Sequence, residues 1–272
     1  MMTNPITDTY NSDPGREWNR LVEDTYHSLE FTITWHHLSQ HLPPAGQILD
    51  AGGGPGRYSL ALCRAGYQVT LLDLSEGNIH FACQQFKEEP LEVQSRLSEA
   101  AVGDVTNLSR FGDKTFEAVL CLGGVLSHIQ PAQARRRAIT ELVRVCKPQG
   151  IVAVSGVGYL AVLRTILMEF SHEILWPTWF EFLQTHDSAG PTQTDWHWYT
   201  AADLRGLAES HGLTTLIMAG CQGLSSSLIE ATNHLAEDPV KWRRWLDLLL
   251  QTSTDPAVVE MAEHILYVGR KT

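Results

Sequence analysis

Apolar side chains recur at roughly helical spacing between residues 14 and 42 (Trp18, Leu21, Val22, Tyr26, Leu29, Phe31), and the run stops at Leu42-Pro43-Pro44, where proline ends a helix. Helices therefore come first. From Gln47 the pattern changes to short apolar runs separated by amphipathic stretches of helix length, as in a parallel sheet joined by crossover helices. The predicted strands are Ile48–Ala51, Val69–Asp73, Ser98–Val102, Phe116–Leu122, Ile151–Gly156, Leu213–Ala219 and Ile265–Arg270. Helices are predicted over Tyr58–Arg64, over Glu76–Lys87 with Ser75 as N-cap, and over Ala132–Cys146. Two stretches, 157–200 and 220–264, exceed ordinary connections; both read as helical and tryptophan-bearing, and as insertions that build the substrate side. The expected architecture is a single α/β domain over 1–272 with a seven-stranded, mainly parallel, doubly wound sheet. Residues 14–46 form its helical cap and 47–156 its ligand-binding core.

A chain of 272 residues that is 43% hydrophobic can bury a core of this size without a second domain. Its net charge of −11 lacks the positive field of a protein that binds by neutralising phosphates, so neither nucleic acid nor a membrane surface is expected as a partner. The five cysteines are scattered, without a CxxC pair, and read as reduced thiols. Residues 1–13 are polar without a signal-peptide pattern, and no run approaches the roughly 18 apolar residues of a membrane span. A cytoplasmic protein is expected. No HExxH or comparable spacing occurs among the twelve histidines, so no metal is expected. Arg135-Arg136-Arg137 falls within a predicted helix and reads as a solvated face.

The chemistry concentrates in Gln47-Ile48-Leu49-Asp50-Ala51-Gly52-Gly53-Gly54-Pro55-Gly56-Arg57-Tyr58, a strand, a glycine turn and a helix start. Glycines let the backbone approach a ligand closely, and a helix N-terminus offers unpaired N–H groups, so a nucleotide-like ligand is expected. The dinucleotide pattern GxGxxG is not met, because Arg57 occupies the third glycine position after Gly52 and Gly54. Asp50 would repel a pyrophosphate and attract a cationic amino-acid moiety. Asp73 ends the second strand, where a carboxylate accepts from ribose hydroxyls, and Asp104 follows the third strand, within reach of an adenine amino group.

With these residues in this order the sequence resembles the class I, Rossmann-like methyltransferases that use S-adenosylmethionine, particularly small-molecule members, over about residues 16–156. The resemblance implies a donor site built from Asp50, Gly52, Gly53, Gly54 and Gly56, from Asp73 with Leu74, and from Asp104 with Val105. It likens Leu120–His128 to the segment beside the methionine portion, which includes Leu122 and Gly123, and Glu141–Gly150 to a structural helix and turn. Helices ahead of the sheet often close over the donor in that family, which makes Trp18, Arg20 and Tyr26 expected contacts. The implied cofactor is S-adenosyl-L-methionine, its product S-adenosyl-L-homocysteine, and the partner a small-molecule acceptor. No Asn/Asp-Pro-Pro-Tyr/Phe sequence of the base-amine methylating enzymes is present.

Several readings stay open on sequence alone. His128 sits where a general base would stand, or it caps or packs the following helix. The stretch from Trp176 to Tyr199 is a candidate acceptor pocket with Trp179, His197 and Tyr199 as contacts, or it is core. A non-catalytic S-adenosylmethionine-binding regulatory module is one alternative function, and an NAD-dependent oxidoreductase a weaker one.

Overall fold

The computed structural model describes residues 5–188 and 196–272. Its strands are β1 (Gln47–Ala51), β2 (Gln68–Asp73), β3 (Leu97–Val102), β4 (Phe116–Cys121), β5 (Cys146–Val157), β6 (Asp187–Ser188), β7 (Trp196–His197), β8 (Leu213–Gly220) and β9 (His264–Lys271). Seven of them make one sheet in the order β3-β2-β1-β4-β5-β9-β8. Neighbours from β3 to β5 run parallel, and β9 lies antiparallel to both β5 and β8. The doubly wound sheet expected from the apolar runs is therefore present with all seven predicted strands.

Central strands are buried on both faces because helices cover both. Alternate residues diverge: Leu49, Val119 and Cys121 pack with Ala138, Ile139 and Leu142 of the helix Ala132–Val145, whereas Ile48, Ala118 and Leu120 pack with Tyr58 and Leu62. β5 begins at Cys146 rather than at Ile151, so the preceding helix ends at Val145. Lys271 Nζ binds the carbonyls of Val143 and Cys146 at 2.6 and 2.7 Å, closing that helix end.

Ahead of the sheet stand α1 (Pro5–Ser12), α2 (Pro14–Arg20) and α3 (Ser28–Ser39). Asp13 caps α2 by accepting from the Arg16 N–H at 2.9 Å, with Pro14 in the first turn. α1 falls where the sequence shows only a polar leader. Asn11 docks it: its Oδ1 accepts from Ser75 Oγ (2.7 Å) and the Gly77 N–H (3.0 Å), at the N-terminus of the helix Glu76–Lys87.

The insertion 157–200 is only partly helical, with helices at Tyr159–Glu169 and Trp179–Thr185, and it ends in the β6–β7 hairpin, which alternation this short does not reveal. Tyr199 follows the hairpin and belongs to the core. It is almost fully buried, its N–H donates to Val157 O (2.8 Å), and a Cβ on Gly156 would stand 2.4 Å from its ring. The insertion 220–264 is helical as expected, and Leu249 within it packs on Leu29 and Ile33 of α3. The arginine triplet is not uniformly solvated: Arg135 is buried, donating to Ile129 O (3.1 Å) and Gln130 Oε1 (2.7 Å) and facing Asp187, because the hairpin folds over that helix end. Among the described residues no helix is long and apolar enough to cross a membrane, and no cluster of three His, Cys, Asp or Glu could hold a metal.

His37 on α3 is buried with Nε2 2.7 Å from Ser253 Oγ, and burial lowers its pKa to about 4. The unfolded chain, with an ordinary histidine, binds a proton below about pH 6.5 that the folded chain refuses. Stability is therefore complete above that pH and falls as pH drops toward 4, by about 3 kcal/mol for this one group. Melting temperatures from pH 7 to 4.5 are expected to fall less steeply in His37→Gln than in wild type; parallel curves would assign the acid sensitivity elsewhere.

Candidate functional site

Between β1 and β4 the strand order reverses, and their carboxyl ends open into a cavity of about 360 Å³. Its floor is formed by Asp50 and the loop Gly52–Pro55. Gly52 takes φ +79° and lies so close to Val125 that a Cβ would stand 2.7 Å from it; a Cβ on Gly53 would stand 2.4 Å from Asp50 Oδ2. Only glycine satisfies both demands. The Gly52 and Gly53 N–H groups donate to Leu72 O (2.6 and 3.1 Å), which ties the loop to β2.

Asp50 is fully buried; Ser59 Oγ donates to its Oδ2 at 2.7 Å, and Oδ1 has no partner in the protein. Burial pushes its carboxyl up to about 6, the Ser59 hydrogen bond opposes this, and the charge of Asp73 adds to it. An orphaned carboxylate oxygen at the cavity floor is satisfied by a cation or a hydrogen-bond donor.

Asp73 stands at the end of β2 and organises the rim. It accepts from the N–H groups of Gly54 and Ser75 (both 2.9 Å) and from Asn78 Nδ2 (3.1 Å). Burial nonetheless raises its pKa above the ordinary carboxylate value, the bonds from Ser75, Asn78 and Gly54 opposing. Leu74, Val105, Leu122 and Gly123 line the same cavity, and Asp104 lies at its exposed edge with Oδ1 accepting from the Thr106 N–H at 2.8 Å.

His128 lines it too, in the 3-10 turn Val125–His128 after β4. Nε2 lies 3.1 Å from the Tyr10 hydroxyl, Nδ1 is buried without a partner, and Trp196 of β7 packs edge-on at 4.1 Å. Burial lowers its pKa to about 4, so the ring is neutral near pH 7.

Of the three cap residues expected at the cavity, Arg20 reaches it. Trp18 does not, because its ring is covered by the Arg57 guanidinium at 4.2 Å and by Phe81. Tyr26 does not, because its hydroxyl is engaged by the Ser227 N–H (2.9 Å) from the 220–264 insertion. Gly56 stays behind the lining as the left-handed N-cap (φ +89°) of the helix Arg57–Arg64.

The three expected acceptor contacts also lie outside. Trp179 packs on Phe182 and donates its indole N–H to Glu173 O. His197 pairs through Nδ1 with Asp187 at 2.7 Å and, with Tyr199, borders a separate surface cavity of about 730 Å³. No described residue of 157–200 or 220–264 lines the main cavity, since the hairpin and the second insertion pack behind its walls. Instead α1 contributes Thr7 and Tyr10, and α2 contributes Glu17. The Asp13-Pro14 start of α2 is legible as a cap, whereas nothing in the apolar spacing marks α1.

Residues 49–154 match the family described as "Methyltransferase domain". The chain is 26% identical over 157 residues to the glycine/sarcosine N-methyltransferase of Aphanothece halophytica, covering 53% of this chain and 57% of that protein. It is 34% identical over 139 residues to the demethylmenaquinone methyltransferase of Streptomyces avermitilis, covering 51% and 47%. The chain thus spans about half the length of the curated relatives it matches. Its fold is similar to that of the N-methyltransferase NodS from Bradyrhizobium japonicum, solved with S-adenosyl-L-homocysteine: TM-score 0.59, 16% identity, 98% of this chain and 99% of that one.

Proposed function

We propose that this chain, whose residues 49–154 match a methyltransferase domain, is a class I, Rossmann-like methyltransferase that transfers a methyl group from S-adenosylmethionine to a small-molecule acceptor. The observation that carries the reading is the pairing of an orphaned, buried Asp50 oxygen with a glycine loop and the Asp73 rim, a donor set suited to a cationic nucleoside. S-adenosylmethionine supplies an activated methyl group on a sulfonium and leaves as a neutral thioether. Asp73 would accept from the ribose hydroxyls, and Asp104 stands where it would accept from the adenine amino group. Asp50 and Arg20 border the amino-acid end. The protein's own work is to hold two reactants in line and exclude water.

His128 and Tyr10 face the acceptor side of this reading. A histidine held neutral takes a proton from an oxygen or nitrogen nucleophile without first losing its own. His128→Gln is expected to lower kcat by about 100-fold while changing donor affinity less than about threefold, an order-of-magnitude distinction between chemistry and binding. The wild-type rate is expected to show no ionisation near pH 6.5; unchanged kcat in the variant would reduce His128 to a packing role.

Free thiols at all five cysteines, four of them buried, support a reducing, cytoplasmic setting. The test is an assay with isotopically labelled methyl donor and a metabolite extract, with calorimetry against S-adenosylmethionine, S-adenosylhomocysteine and NAD. Labelled product is expected. Donor binding with no product from any extract would favour a regulatory module, and NAD binding alone would overturn the reading.

A further inference from the structure

The surface cavity of about 730 Å³ is walled by a different face of the helix Ala132–Val145 from the one that meets the main cavity. Ala134 and Arg137, three positions apart, line the main cavity, whereas Ala132, Arg135 and Arg136, at spacings of three and four, line this one. No described residue lines both. The facing wall is the helix Ala201–Glu209, and the end of the helix Trp179–Thr185 and strand β7 close the remaining side.

Arg135 is only 4% exposed. Its Nη1 donates to Ile129 O and Gln130 Oε1, while Nε and Nη2 make no hydrogen bond with a described residue, Nη2 standing 3.4 Å from Asp187 Oδ1 as an ion pair. The neighbouring Arg136 is exposed, and its guanidinium has no partner among the described residues. Three imidazoles border the same cavity, each anchored through Nδ1: His197 on Asp187 Oδ1 (2.7 Å), His186 on Asp203 Oδ2 (3.2 Å) and His211 on Leu207 O (2.7 Å). A proton on Nδ1 satisfies each of these acceptors, and in the neutral ring that leaves Nε2 as a lone pair. No described residue bonds any of the three Nε2 atoms. Among the described residues no group of three His, Cys, Asp or Glu is placed to hold a metal, so the lone pairs are left for hydrogen-bond donors. Asp203, the acid that also lines the cavity, is engaged by the Thr200 hydroxyl (2.7 Å) and by His186. Tyr199 adds a buried hydroxyl without a partner.

We propose that this cavity is a second ligand site, for a hydroxylated organic anion: Arg135 and Arg136 take its phosphate or carboxylate, and His186, His197 and His211 accept from its hydroxyls. Both halves are needed to match the walls. A bare oxyanion leaves the imidazole lone pairs unmet, and a neutral polyol leaves the guanidiniums unmet. The site touches the main cavity through one side chain, since Arg135 and Asp187 both bond the amide of Gln130 (2.7 and 2.9 Å), which lines that cavity. It does not rest on the methyl-donor reading and is measurable without it.

The probes are glucose 6-phosphate and gluconate, which carry the anion as phosphate and as carboxylate, with glucose and inorganic phosphate each supplying one half. Calorimetry at about pH 8, where an ordinary histidine is neutral, is expected to show at least one of the hydroxylated anions bound at least fivefold more tightly than either half. Arg136→Gln is expected to weaken that binding at least fivefold. His211→Ala is expected to lower the preference over inorganic phosphate at least threefold and to leave the affinity for inorganic phosphate unchanged. Arg244→Gln, which removes an equally exposed charge from the helix Pro239–Thr252, is expected to change nothing. No binding of either hydroxylated anion at millimolar concentration overturns the proposal, as does inorganic phosphate binding equally well. An equal loss in Arg136→Gln and Arg244→Gln would assign the affinity to diffuse surface charge and overturn it too.

Discussion

Replacing Asp73 by alanine is expected to weaken binding of S-adenosylmethionine and S-adenosylhomocysteine by about 100-fold or more, since two charge-assisted hydrogen bonds contribute about 1.5–3 kcal/mol each. The structure adds a second reason for a large effect. The same carboxylate collects the N–H groups of Gly54 and Ser75 and the Asn78 amide, so its loss loosens the glycine loop and the start of the helix Glu76–Lys87 at once. The Asp104 side chain accepts from the Thr106 N–H and lies exposed, where competing water discounts any ligand bond, so Asp104→Ala is expected to cost a factor of about ten or less. Calorimetry on both variants, with circular dichroism as a control for folding, decides the ranking. Equal losses, or a larger loss for Asp104, would remove Asp73 from the ribose.

Tyr199→Ala is expected to destabilise the fold by about 3–5 kcal/mol, the usual cost of emptying a large buried aromatic. For a chain of this size each kcal/mol lowers the melting temperature by about 2–4 °C, so a drop of about 10 °C is expected. The ring is almost fully buried against Gly156 and in the cluster that also holds Leu204 and Tyr267, and its hydroxyl has no partner in the protein. Well below the transition, the variant is expected to bind the methyl donor like wild type. A melting temperature within about 2 °C of wild type, with impaired turnover, would return Tyr199 to the acceptor side.

The sheet was legible because its central strands are short apolar runs buried on both faces, and the turns between them carry glycine or an N-cap such as Ser75. Asp50, Asp73 and Asp104 were legible for a related reason: each sits at a strand's carboxyl end, so a correct strand also places its acid. The acceptor side was not legible. Aromatic content in 157–200 points equally to a pocket or a core, and only packing distinguishes them; Trp179 and Tyr199 turned inward. The cap was half legible, since Arg20 and Trp18 lie two positions apart on one short helix and so point in different directions. Tyr10 and Thr7 were missed because α1 is held by Asn11 contacts to a helix start far along the chain, which no local pattern encodes.

The contact between Gly156 and Tyr199 constrains the order in which this sequence can change. With tyrosine in place, any side chain at 156 meets the ring at once, so alanine there carries a clash at the carboxyl end of β5. Once 199 is small, the same alanine occupies space that the lost ring vacated. The two substitutions are therefore expected to be non-additive, each harmful alone and the pair milder than their sum. Lineages that exchange the aromatic would pass through position 199 before 156, and a glycine at 156 beside a small residue at 199 would mark one caught midway.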